Sequence, residues 1–218
     1  SFPPNVKYIN LYESGYNWTI GSFPDNLKEY RCAGVTTLNC GFPNSLEKIW
    51  LVCDKLDRII NIPNKVTELA ISENCIRYIK VNHTLKKLKL LQQSEEETDI
   101  SYAPIKNIPC EIIETNVKKM PKLKYNLNEL THTIIVSRTY EGYDLGYANY
   151  YFDVAKQIKT IEFVDVLCPG FHYKKIPYHV KKIVYNSRRK NEADYFYCMD
   201  RDVVIIQRSK YISYDTDY

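Results

Sequence analysis

The sequence contains few small residues, since only 6 of its 218 residues are alanine and only 7 are glycine. Alanine is the strongest helix former, so its scarcity argues against long helices. The chain is 44% hydrophobic and 26% charged, which excludes disordered and collagen-like chains. Isoleucine and tyrosine are abundant instead, with 23 and 20 residues, and such residues favour strands. The composition therefore predicts one or two domains built from short strands.

A strong charge and a long apolar run are also missing. The 30 basic and 26 acidic residues leave a net charge of only +4, which does not favour nucleic acid or an acidic membrane as a partner. No apolar run reaches the roughly 18 residues of a membrane span, and no segment reads as a signal peptide. We therefore expect no membrane span, and the local pattern must indicate any partner.

The seven cysteines include no Cys-x-x-Cys pair. An odd number of widely spaced cysteines differs from the disulfide framework of a secreted domain and from a zinc module. It is typical of free, mostly buried thiols in a reducing compartment. The cysteine pattern thus predicts a cytoplasmic rather than a secreted protein.

Recognisable catalytic motifs are absent as well. The sequence has no glycine-rich phosphate loop, no G-x-S-x-G elbow, no H-E-x-x-H helix and no EF-hand loop. Cys168 and His172 flank a Pro-Gly pair, which favours a turn over a nucleophile or a metal site. The consecutive carboxylates at 95–97 lack the spaced partners that a cation site needs. The four histidines are scattered, at His83, His132, His172 and His179. We expect a protein that is not an enzyme, with no catalytic, cofactor-binding or metal-binding residues and no small-molecule substrate.

The feature that is present is an internal repeat. The segment FPDNLKEYRC from Phe23 recurs as FPNSLEKIWL from Phe42 and as IPNKVTELAI from Ile62, and related segments begin at Phe2 and Ile176. The shared template is apolar-Pro-x-x-apolar-x-x-apolar-x-apolar. With the proline relaxed, its first apolar position after the proline site falls at residues 6, 27, 46, 66, 85, 105, 131, 158 and 180. In the sixth copy the three apolar positions are assigned to Ile105, Ile108 and Cys110.

A repeat of this length predicts a solenoid. Apolar residues two apart point to one side of a strand, and stacked coils can share one core while their strands pair in a parallel sheet. We expect about nine coils over residues 1–186 and a C-terminal cap and tail over 187–218, with a strand at 203–206. The connections are too short for full helices. Extended segments and helical turns should return the chain on the convex side, where Leu38, Leu56, Ile59 and Ile79 would complete the core.

The proline-marked phrasing resembles short leucine-rich repeats, and IPNKVTEL from Ile62 is especially similar to the FNIP repeats of amoebal and giant-virus proteins. The resemblance covers about residues 6–186, although the asparagine usual near the end of the strand motif is absent from most copies. It implies a right-handed leucine-rich-repeat solenoid, β-rich within the α/β class, with one parallel sheet on the concave face. It also implies an amoebal or a giant-virus source, and a location within a viral particle as the alternative to the cytoplasm.

Two regions interrupt the period or lie at its end. Residues 138–157 form a tyrosine-rich insertion, which either protrudes as a contact surface or packs its aromatic side chains inward from a convex-side helix. The first repeat begins without a visible cap, so its edge could contact another chain.

The outward positions of the predicted sheet are the candidate partner-binding surface. They mix aromatic, apolar and charged residues, as protein-binding faces do, although an ordinary half-polar sheet face would look similar. In the sixth coil the assignment places Asn107, Pro109 and Glu111 there. The candidate contact residues, including those of the insertion, are Tyr8, Tyr12, Arg31, Trp50, Lys87, Lys89, Tyr140, Tyr143 and Tyr147. We expect a non-enzymatic module or scaffold that binds a protein; the alternative is a structural component of a larger assembly, such as a minor protein of a large DNA virus particle.

Overall fold

The structure is a computed structural model that describes residues 2–11, 18–33, 35–38, 40–53, 56, 58–91, 103–115, 126–137, 154–164, 177, 179–185 and 204–207. Its short strands are β1 (Tyr8–Leu11), β2 (Trp18–Ile20), β3 (Glu29–Ala33), β4 (Val35–Leu38), β5 (Lys48–Val52), β6 (Ile60–Asn61), β7 (Glu68–Ser72), β8 (Ile79–Lys80), β9 (Leu85–Leu91), β10 (Cys110–Thr115), β11 (Thr133–Ser137), β12 (Thr160–Val164), β13 (Lys182–Tyr185) and β14 (Val204–Gln207). Two 3-10 helices, Glu73–Tyr78 and Ala103–Asn107, lie between them.

Ten of these strands form one parallel sheet, which we call the main sheet. Its order is β1-β3-β5-β7-β9-β10-β11-β12-β13-β14, so each coil places its strand beside that of the preceding coil. The connecting segments supply two small parallel sheets, β2 with β4 and β6 with β8, as well as the 3-10 helices. The prediction of a β-rich solenoid with a parallel sheet, extended connections and short helical turns is confirmed.

A tight turn precedes the strand in the proline-marked coils. The proline carbonyl accepts a hydrogen bond from the N–H three residues later, as from Leu27 to Pro24 at 3.2 Å and from Val66 to Pro63 at 3.0 Å. Such an i to i+3 bond defines a β-turn, and its first position does not need the N–H that proline lacks. The repeat proline therefore belongs to the turn that aims the chain into the main sheet.

The core runs continuously beneath the main sheet. The three apolar positions of the template point inward in successive coils, and side chains such as Leu46, Ile49 and Leu51 are almost fully buried. The first coil is less covered, because Val6 is only partly buried whereas its counterpart Leu27 is fully buried.

The sixth coil corrects the predicted phase. Cys110 pairs with Leu85, and Glu114 pairs with Lys89, so the first apolar position is Cys110 rather than Ile105. Ile105 and Ile108 are buried, but they belong to the 3-10 helix and the residues just after it. A 3-10 helix has three residues per turn and brings residues i and i+3 to one face, which imitates the first part of the template.

The outward residues of that coil are corrected with the phase. Ile112 and Glu114 take the positions that the sequence assigned to Asn107 and Pro109. Glu111 is the second residue of β10 and precedes both of these outward positions. It pairs with no outward residue of the neighbouring coils.

The connecting segments agree with expectation in part. Leu56 is buried and Ile79 packs against the core, but Ile59 is 65% exposed, so its predicted core role is wrong. The strand expected at 203–206 is confirmed as β14, which pairs in parallel with β13. The side chain of Leu38 and residues 138–153 of the insertion lie outside the described residues, as does most of 187–218.

Candidate protein-binding face of the main sheet

Side chains that alternate with the buried core positions form the outward face of the main sheet. The strand register arranges them in two rows that cross all ten strands. Row one comprises Tyr8, Glu29, Lys48, Glu68, Lys87, Ile112, Thr133, Thr160, Lys182 and Val204. Row two comprises Asn10, Arg31, Trp50, Ala70, Lys89, Glu114, Ile135, Glu162, Val184 and Ile206. Apart from the sixth coil and the added last strand, the sequence predicts these two rows, and it also predicts a third. The register supports the third row in part, since it pairs Ala33 with Val52, Ser72 with Leu91 and Ser137 with Val164. Ser72 is fully buried, so its predicted outward position is wrong.

Trp50 lies at the centre of a cluster in row two. The guanidinium carbon of Arg31 lies 5.5 Å from the centroid of the Trp50 ring, and Nζ of Lys89 lies 5.2 Å from it. Both distances are within the range of cation–π attraction, worth about 0.5–1 kcal/mol at an exposed site. Trp50 itself is half-buried in β5. We call Arg31, Trp50 and Lys89 the tryptophan cluster.

Ala70 makes the reach of Lys89 possible. In row two Ala70 pairs with Trp50 on one side and with Lys89 on the other. Because neighbouring strands are about 4.8 Å apart, Lys89 must cross roughly 10 Å to reach the ring. A side chain as small as that of alanine leaves this space open.

Glu114 extends the cluster to β10. Its Oε1 atom lies 2.7 Å from Nζ of Lys89, and its Oε2 atom bonds Nζ of Lys87. The Glu114 side chain is only 8% exposed. Burial by itself would raise the pKa of this carboxyl, but the two ammonium groups outweigh burial and hold the pKa below its ordinary value.

Sequence reasoning missed Glu114 because it misplaced the sixth coil. The correct phase is also compatible with the sequence, since Cys110, Ile113 and Thr115 fit the template spacing. Cysteine and threonine are weaker apolar signals than the pair Ile105 and Ile108, so the wrong match is the better one by hydrophobicity.

Row one begins with a polar edge and alternating charges. After Tyr8, which is 69% exposed, the row continues with Glu29, Lys48, Glu68 and Lys87. Nζ of Lys48 lies 3.1 Å from a carboxylate oxygen of Glu68. In row two, Nε of Arg31 lies 2.5 Å from Oε1 of Glu29. These cations have carboxylate neighbours, so this part of the face does not present a continuous basic stripe.

The remaining candidate residues lie elsewhere. Tyr12, Tyr140, Tyr143 and Tyr147 are outside the described residues. The face therefore brings together Arg31, Trp50, Lys87 and Lys89 from the predicted set, with Tyr8 at the β1 edge.

Within the ranges that the structure describes, no group of three or more His, Cys, Asp or Glu side chains could hold a metal ion. No helix in those ranges is both long enough and apolar enough to cross a bilayer.

Comparisons with protein-family models, with curated proteins and with solved structures returned no match for this chain.

Proposed function

We propose that the chain is a non-enzymatic interaction module of the leucine-rich-repeat class, which binds a protein partner through the outward, concave face of the main sheet. Short proline-marked repeats and a parallel sheet with extended and 3-10 connections support the class. Stacked repeats of this kind offer a long, continuous surface to a partner.

The tryptophan cluster is the observation that carries the proposal. Tryptophan and arginine are the residues most enriched among binding hot spots, which lie near the centre of an interface within a polar rim. Here Trp50 stands between Arg31 and Lys89, and the ion pairs made by Glu29 and Glu114 surround them. A partner that covers the ring would complete the burial of Trp50 while the rim stays hydrated.

Lys87 and Lys89 serve this face as positioned cations rather than as a nucleic-acid contact. Both lysines pair with Glu114, whereas a nucleic-acid-binding surface needs cations that are free to neutralise phosphates and so displace their counterions. The proposed partner is therefore a protein with both apolar and polar groups.

The test compares two double variants in affinity capture from the native source, followed by titration of the captured protein. Arg31→Ala with Trp50→Ala removes a cation and an apolar ring from the face. Arg58→Ala with Ile59→Ala is the matched control, because both residues are exposed and lie outside the main sheet. The face variant should bind at least about 30-fold more weakly, and the control should bind like the unmodified chain. An unchanged affinity in the face variant, or an equal loss in both, contradicts the proposal.

A second candidate is a structural role in a larger assembly, such as a minor protein of a large DNA virus particle, held at the β1 edge. It is favoured by the exposure of Tyr8 and by the partial burial of Val6 in the first coil. Sedimentation over a range of concentrations, with Tyr8→Ser as the variant, tests it. A chain that stays monomeric and does not join particles from the native source would count against this role.

A further inference from the structure

Two buried thiols from neighbouring coils touch each other in the core. Cys53 directly follows β5, and Cys75 lies in the 3-10 helix that follows β7. Their Sγ atoms are 3.2 Å apart, and both side chains are 0% exposed. A disulfide has an S–S length of about 2.05 Å, so bonding needs a movement of roughly 1 Å.

Hydrogen bonds from both coils maintain this contact. The Cys75 thiol lies 3.2 Å from the Cys53 carbonyl oxygen, to which it donates. The backbone N–H of Cys53 donates to the hydroxyl oxygen of Ser72 at 3.0 Å, and Ser72 belongs to β7. These hydrogen bonds therefore hold the two cysteines side by side in neighbouring coils.

The sulfur atoms of the other described thiols contact oxygen atoms. The Sγ atom of Cys40 lies 3.6 Å from the Ile20 carbonyl oxygen, and that of Cys110 lies 3.5 Å from the Thr131 hydroxyl. The sulfur of Cys32 lies 3.8 Å from the carbonyl oxygen of the next residue. The contact between Cys53 and Cys75 is thus a specific pairing within a set of otherwise separate thiols.

We propose that Cys53 and Cys75 form a disulfide modification site that joins two neighbouring coils when the protein meets a small-molecule disulfide such as oxidised glutathione. One protein thiolate attacks a sulfur of the reagent, which gives a mixed disulfide and releases one reagent thiol. The second protein thiolate then attacks the cysteine sulfur of the mixed disulfide, forms the Cys53–Cys75 bond and releases the second reagent thiol. Two electrons pass to the reagent, and the two protein thiol protons end on the released thiols.

Burial controls when this reaction occurs. Because both sulfur atoms are inaccessible in the closed structure, the first attack takes place while local opening of the core exposes Cys53 or Cys75. In a compartment that keeps thiols reduced the pair stays as two thiols, and in an oxidising one it closes. The bond spans 22 residues of sequence. The loop-closure relation predicts that a loop of this size lowers the unfolding equilibrium constant about 300-fold.

Peptide mapping of the unmodified folded chain tests the site without any substitution. The chain is incubated with oxidised glutathione until Cys40, which is partly exposed, is fully modified, and free thiols are then alkylated after unfolding in urea. Tryptic cleavage after Lys48, Lys55, Lys65 and Arg77 places Cys53 in peptide 49–55 and Cys75 in peptide 66–77. The expected result is that these two peptides are joined, and that they separate on reduction.

Variants and stability provide the controls. Cys110→Ala should leave the joined peptides intact, because Cys110 is buried but lies beside a hydroxyl. Cys75→Ala should abolish them. In the chain without substitutions, the form with the disulfide should unfold at a higher urea concentration than the reduced form. The proposal is overturned if Cys40 is fully modified in a folded chain while Cys53 and Cys75 are alkylated as free thiols, or if Cys53 is found joined to another cysteine.

Discussion

The substitution Glu114→Gln is expected to destabilise the fold by about 2 kcal/mol at pH 7. The carboxylate is almost fully buried and accepts hydrogen bonds from Lys87 and Lys89. A hydrogen bond to a charged group contributes about 1.5–3 kcal/mol. The lysine side chains are 28% and 31% exposed, so they regain part of their hydration when the carboxylate is lost. That recovery reduces the cost from the sum of two bonds to about that of one.

The lowered pKa of Glu114 also predicts how the destabilisation by Glu114→Gln depends on pH. Because the folded-state pKa of Glu114 lies below its ordinary value, the stabilisation is fully present above the unfolded-state pKa, about 4.3. It is lost as the pH falls through the folded-state pKa. Urea unfolding of both chains should therefore show a difference that is constant near neutral pH and that shrinks below about pH 4.

Glu47→Gln is the matched control. Glu47 also pairs with a lysine of the neighbouring coil, Lys28 at 2.6 Å, but both side chains are well exposed. Exposed pairs of this kind contribute little to stability, so the control should unfold like the unmodified chain. If Glu114→Gln is as stable as the unmodified chain at pH 7, or if its effect is independent of pH, the assignment of Glu114 as a buried ionised carboxylate is wrong.

Two further predictions concern the core and the thiols. Leu46→Ala, at a fully buried apolar position, should cost about 3 kcal/mol in urea unfolding, whereas Ile59→Ala should cost little because Ile59 is exposed; equal losses would refute the assignment of these positions. Burial, partly offset by the hydrogen bond to Thr131, raises the pKa of Cys110 to about 11. At pH 8 only on the order of one Cys110 thiol in a thousand is ionised, so a thiol reagent followed by peptide mapping should label Cys40 well before Cys110, and equal rates would contradict the buried environment of Cys110.

The repeating part of the fold could be predicted because its signal recurs. Wherever the template keeps its turn and its three apolar positions, as in the coils starting at Leu27, Leu46 and Val66, the rows of the main sheet follow directly from counting residues. Sheet register depends on alternation with a period of two, and several matching coils determine it jointly.

The sixth coil and the connections were harder to predict because their signals are ambiguous. Ile105 and Ile108 have the spacing of the template, but a 3-10 helix produces the same spacing. Ile59 is apolar, yet exposed apolar residues are common on folded proteins. Glu114 could not be recognised as part of the site until the phase of β10 was known, since its role depends on pairing with Lys89 across the sheet.

The alternation of charge in row one also encodes the order of the coils. Glu29, Lys48, Glu68 and Lys87 meet as opposite charges only when each strand pairs with that of the next coil. If a strand skipped one coil during folding, Glu29 would face Glu68, or Lys48 would face Lys87, and like charges directly opposite are destabilising. Repeats with nearly identical apolar positions could otherwise pair out of order. These four charged side chains therefore favour pairing between adjacent coils over pairing that skips a coil.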